Sequence, residues 1–76
     1  MRNARELLRE VVGTHLASTA DEHADLKQAG VGSGELIRLS LLIEDEVGRP
    51  LSEDEVVNLH SLYAIDKYLK DQGSEA

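Results

Sequence analysis

The sequence predicts an all-α fold: a bundle of four helices, the third of them short, with a long loop between the first two. Three observations carry this expectation. Apolar residues recur at helical spacing over two long stretches, one beginning near Asn3 and one near Ser33. Capping signals stand before two further apolar segments, at Ser52 and at Ser61. No stretch shows the apolar–polar alternation of a half-buried strand.

The first helix is expected from about Asn3 to Leu16. Leu8, Val11, Val12, His15 and Leu16 fall at helical spacing, with Leu7 on the flank, while Arg5, Glu6, Arg9 and Glu10 take the other side. His15 reads as partly buried. Gly13 inside this helix costs about 0.5–1 kcal/mol relative to Ala, and reads as a close approach of another helix. Residues 17–32 read as a loop, with Leu26 and Val31 as its anchors to the core.

The second helix is expected from Ser33 or Gly34 to Val47, with Gly48 just beyond its end. Leu36, Leu39, Ile43 and Val47 share one face, while Ile37 and Leu41, four apart, share another. A two-faced helix in so small a domain implies one face for the core and one for something else. Arg49-Pro50 ends the element, because the residue before proline avoids the helical region. Ser52-Glu53-Asp54-Glu55 is a capping box opening a short helix through Val56, Val57 and Leu59. Ser61 caps the last helix, which carries Leu62, Ile65, Tyr68 and Leu69; Gly73 and a polar tail follow.

The whole reads as a single domain over 1–76, with an ordered core over about 3–71 and a polar tail over 72–76. Composition narrows its chemistry. With no cysteine, the chain has no disulfide framework, no thiolate zinc site and no thiol nucleophile of its own. Fifteen acidic against eight basic residues give a net charge of −7, which disfavours nucleic acid and anionic membranes as partners. A membrane span needs about 20 mostly apolar residues, and no such run occurs. Glu6, Arg9 and Glu10 interrupt what would be the apolar core of a signal peptide. A soluble, cytoplasmic monomer is expected.

Gly30-Val31-Gly32-Ser33-Gly34 is the most unusual local sequence. Neither G-x-G-x-x-G nor Gly-Lys-Ser/Thr is present, and no strand precedes it, so a nucleotide loop is disfavoured. Two readings stay open. Ser33 caps the helix that follows, or Ser33 is held exposed for covalent modification among small neighbours. An added phosphodiester would there meet the N–H groups and dipole of a helix start. His23, among Asp21, Glu22 and Asp25, reads as solvated loop charge rather than a metal ligand. His60-Ser61 reads as a helix cap rather than a base and nucleophile. Between Glu35 and Val57 lie seven acids and two bases, Arg38 and Arg49. Beside Ile37 and Leu41 they read as a recognition surface for basic partners.

These residues together resemble the acyl carrier protein family. The family pattern around its modified serine is D-L-x-x-L-G-x-D-S-L; here Asp25-Leu26 precede Ala29-Gly30 and then Gly32-Ser33-Gly34. Glu44-Asp45-Glu46-Val47-Gly48 arrives at the family's spacing from the serine. Leu51 to Glu55 and Ser61 to Leu69 resemble its last two helices, so the match runs without a gap from Asp25 to Leu69. The resemblance implies a carrier that is not an enzyme. A phosphopantetheinyl transferase would attach 4′-phosphopantetheine from coenzyme A to Ser33, using magnesium. Acyl or aminoacyl cargo would ride on the arm as a thioester. Loading and condensing enzymes would grip Ile37, Arg38, Leu41, Glu44 and Asp45, and no metal is bound by the chain itself. A specialised pathway, polyketide or nonribosomal peptide synthesis, fits better than general fatty acid synthesis. The chain departs from the family at Gly32 (Asp there), Gly34 (Leu there) and Ala29 (Leu there). Those changes imply a specialised transferase, or a docking module that is no longer modified.

Overall fold

The computed structural model of the protein describes residues 2–73, which form five α-helices and no strand. They are α1 (Ala4–Val12), α2 (Thr14–Thr19), α3 (Ser33–Val47), α4 (Glu53–Asn58) and α5 (Leu62–Gly73). The fold class is therefore all-α, and the bundle has one more helix than expected. The extra one arises because Gly13 divides the first predicted helix. Its φ of 92° and ψ of 170° lie where a residue with a Cβ is strained. Nothing lies within 4 Å of where a Cβ would stand, so the glycine serves this backbone turn and not the approach of another helix. The turn re-aims the chain, and the buried face shifts with it. Ala4, Leu7, Leu8 and Val11 of α1 and Ala17 of α2 face the core, while His15 is exposed, not partly buried.

The capping chemistry sets most helix ends. Asn3 and Glu6 close a reciprocal box on α1, with the Asn3 side chain accepting the Glu6 N–H at 2.8 Å. Ser52 and Glu55 do the same for α4. The Ser61 Oγ accepts the Ala64 N–H at 3.1 Å, as expected of a cap on α5. Gly48 ends α3 in the left-handed region and donates its N–H to the Glu44 carbonyl at 2.8 Å.

α1 is the central element and packs against α2, α3 and α5; α3 also packs against α5. Their shared core holds Leu7, Leu8, Leu39, Ile43, Ile65 and Leu69. The loop before α3 is pinned to it by Leu26 and Val31, 1% and 3% exposed. Its backbone is tied down as well: the Leu26 N–H donates to the His60 carbonyl at 2.9 Å, and the Tyr63 N–H to the Glu22 carbonyl at 2.8 Å. The Ala4 N–H donates to the Asp66 carboxylate at 2.7 Å, fixing α1 on α5. Arg2 bonds both Glu10 and Glu46, which ties the chain start to the end of α3 and holds the Glu46 carboxyl below its ordinary range. α4 differs from the rest, because none of its residues is buried. The expected tail over 72–76 falls largely outside the described residues, and α5 runs on to Gly73.

Candidate functional site

Ser33 is the first residue of α3, and the cap is Gly32, one position earlier. Glu35 accepts the Gly32 N–H at 2.8 Å, which is one half of a capping box. The other half is missing, because glycine has no side chain to return. The Ser33 hydroxyl is thus not used for capping. It is exposed and makes no hydrogen bond among the described residues. Of the two readings of the glycine-rich segment, the helix-cap reading is overturned by this geometry.

Ser33 stands at the edge of a groove of about 510 Å³ between α3, α4 and residues 25–27 of the loop before α3. Its floor is apolar and belongs to the core: Leu26, Leu39 and Ile43 are each at most 2% exposed. Its outer wall is α4, through Val56 and Val57. Lys27 and His60, both exposed, line its polar margin with Ser33.

The residues expected on a recognition face divide into two groups. Ile37 and Leu41 are 64% and 58% exposed, so the second face of α3 is open. Arg38 and Asp45 are exposed beside them and make no ion pair among the described residues. Glu44 is occupied otherwise: it is half-buried, and its carboxylate accepts the Leu51 N–H at 2.9 Å. Three more of the seven acids are also employed inside the fold. Glu35 serves the α3 cap, Glu46 pairs with Arg2 and Glu55 pairs with Arg49 at 2.9 Å. The Arg49 guanidinium and the Ser52 N–H lower the Glu55 carboxyl to about 2. Arg49 also lies 5.7 Å above the Tyr68 ring, and burial together with Glu55 pushes the Tyr68 phenol up. Of the seven acids, Asp45, Glu53 and Asp54 make no ion pair among the described residues.

Two parts of the surface escaped the sequence reading. Val56 and Val57, 45% and 73% exposed, extend the apolar face from α3 onto α4. A six-residue helix is too short for periodicity to say which side is covered. His23 is not simply solvated: its ring meets that of Tyr63 with centroids 4.8 Å apart. Comparison of the chain with protein-family models, with curated proteins and with solved structures finds no match in any of the three.

Proposed function

We propose that the protein is an acyl carrier of the four-helix type, in which α1 and α2 together stand for the first helix. Its Ser33 accepts 4′-phosphopantetheine from coenzyme A. The observation that supports this is the Ser33 hydroxyl itself, exposed at a helix start, unused as a cap and set at the edge of an apolar groove. In the attachment step the Ser33 Oγ forms a bond to the pantetheine phosphate. The pyrophosphate bond of coenzyme A breaks, adenosine bisphosphate leaves, and the hydroxyl proton passes to the transferase. A phosphodiester on Ser33 would be favoured by the N–H groups and positive dipole end of α3. When bound, the arm supplies the thiol that the cysteine-free chain lacks, and holds cargo as a thioester.

The chain's own residues then present that cargo. An apolar floor of Leu26, Leu39 and Ile43 favours an acyl chain over an aminoacyl group. Ile37 and Leu41 offer apolar anchors, while Asp45 attracts basic partner surfaces. Tethering raises the effective concentration at which cargo meets each partner enzyme. Exposure of Ile37 and Leu41 also favours a second reading, a docking module that is never modified. Incubation with coenzyme A, magnesium and a panel of phosphopantetheinyl transferases, read by intact mass, separates the two. The carrier gains one pantetheine adduct that Ser33→Ala abolishes. No adduct, or one that survives Ser33→Ala, refutes the carrier. Partner capture that persists in Ser33→Ala then supports the docking module.

A further inference from the structure

Five glycines lie between residues 13 and 48, and they divide by backbone conformation. Gly13, Gly30 and Gly48 have φ of 92°, 108° and 75°, values that residues with a Cβ rarely adopt. Gly32 and Gly34 do not. Gly32 sits at φ −71° and ψ 162°, ordinary extended backbone, and Gly34 lies within the first turn of α3. Space does not require glycine at either position. A Cβ on Gly34 would meet nothing within 4 Å; one on Gly32 would meet only the Glu35 Oε1 that accepts the Gly32 N–H, at 3.3 Å, and that oxygen would have to give by a few tenths of an ångström. Local energetics argue against both. Glycine is among the poorest helix formers at position 34, and at position 32 it forgoes the side-chain cap that Ser, Asp or Asn would give.

The fold thus has no use for a glycine at 34 and demands at most a small shift of Glu35 for a side chain at 32, and the two glycines flank the exposed Ser33. Resting on the reading of Ser33 as the attachment site, we infer that Gly32 and Gly34 are specificity-determining residues for its modification. They bare the backbone on both sides of the hydroxyl, so that the modifying enzyme seats flush against it. A side chain at either position holds that enzyme's surface away from the Ser33 Oγ. The occupant is accordingly an enzyme whose contact zone is fitted to bare backbone. It has no pocket for a side chain at 34 and makes no contact to one at 32. Attack at phosphorus requires the hydroxyl within bonding reach, and displacement by about 1 Å lowers the rate about 100-fold.

The test compares the wild-type chain with Gly32→Ala, Gly34→Ala and Gly34→Leu. Each is incubated with coenzyme A, magnesium and the transferase that modifies the wild type fastest. Adduct formation is followed by intact mass at several carrier concentrations, and thermal unfolding is followed by circular dichroism. The inference expects Gly34→Ala to melt at or above the wild-type temperature. It expects modification to slow at least tenfold, and further in Gly34→Leu, with the loss in kcat because the bound hydroxyl is held off the phosphorus. Unchanged modification in Gly34→Leu overturns it. A lower melting temperature for Gly34→Ala also overturns it, because the glycine then serves the fold. Absence of any adduct on the wild-type chain refutes the attachment-site reading itself, and the inference falls with it.

Discussion

Ile37 and Ile43 offer an internal comparison, because one helix carries the same side chain on its open face and on its buried face. Ile43 is 2% exposed, and Ile37 is 64% exposed. Truncation of a buried Ile to Ala removes its transfer free energy and leaves a cavity, a cost of about 2–5 kcal/mol. A 76-residue domain has roughly 4–11 kcal/mol in total, at about 0.05–0.15 kcal/mol per residue. Ile43→Ala therefore removes a large fraction of the stability, and a loss of ~3 kcal/mol lowers Tm by about 12–24 °C. Full burial of an Ile is worth about 1.5–3 kcal/mol, of which Ile37 realises about a third. Alanine's better helix propensity returns up to ~0.5 kcal/mol. Ile37→Ala is thus expected within about 0.5 kcal/mol of wild type. Urea unfolding followed by circular dichroism measures both, with Ile43→Val, at about 0.5–1.5 kcal/mol, as the gentler core variant. In the same preparations Ile37→Ala should slow transfer to a partner enzyme. Equal destabilisation by Ile37→Ala and Ile43→Ala would refute the two-faced reading of α3.

Other substitutions follow from the caps and turns. Ser33→Ala should leave stability within about 0.5 kcal/mol, whereas Ser61→Ala, which loses a buried cap, should cost about 0.5–2 kcal/mol by urea unfolding. Gly13→Ala should destabilise by about 1–3 kcal/mol, because its φ of 92° and ψ of 170° belong to a region almost exclusive to glycine. The Glu55 carboxyl titrates near 2 when folded and near 4.5 when free. Its pairing therefore stabilises the fold above the free value, and that contribution is lost as pH falls toward about 2. Glu55→Gln should flatten the urea midpoint across that window, and an unchanged acid profile would exclude the pair. Native-state hydrogen exchange should find the α4 amides opening more readily than those of α3 or α5, since α4 buries no residue.

The sequence made some features legible and hid others for identifiable reasons. The bounds of α3 could be read because Gly48 and Pro50 stop it chemically. Its two faces could be read because fifteen residues give four turns of periodicity. The break at Gly13 was hidden. A glycine within an amphipathic run is consistent with either a tolerated cost or a positive φ, and only the backbone distinguishes them. The role of Ser33 was undecidable for a similar reason. A one-residue shift of the helix start moves a serine from cap to first turn, and boundaries are uncertain by more than that. The acidic surface was overread, because counting carboxylates does not reveal that Glu35, Glu44, Glu46 and Glu55 are engaged within the fold.

The wall of the groove is held by an arrangement that periodicity does not describe. Val56 and Val57 contribute little burial, so packing is not what keeps α4 ordered. Its ends do that work instead. The Ser52–Glu55 box satisfies the first turn, Arg49 pins Glu55, and Leu59 packs against the core just past the last turn. A short helix fixed at both ends and bare along its length is a wall that adds almost nothing to the core. In a domain with so little stability to spare, apolar side chains left open on two adjacent helices weigh against folding alone as their purpose. Ile37, Val56 and Val57 line the groove that has Ser33 at its edge, and Leu41 continues the open face of α3 one turn beyond Ile37. The groove thus combines a serine that opens a helix without capping it, apolar side chains that the core does not use and the helix that buries no residue.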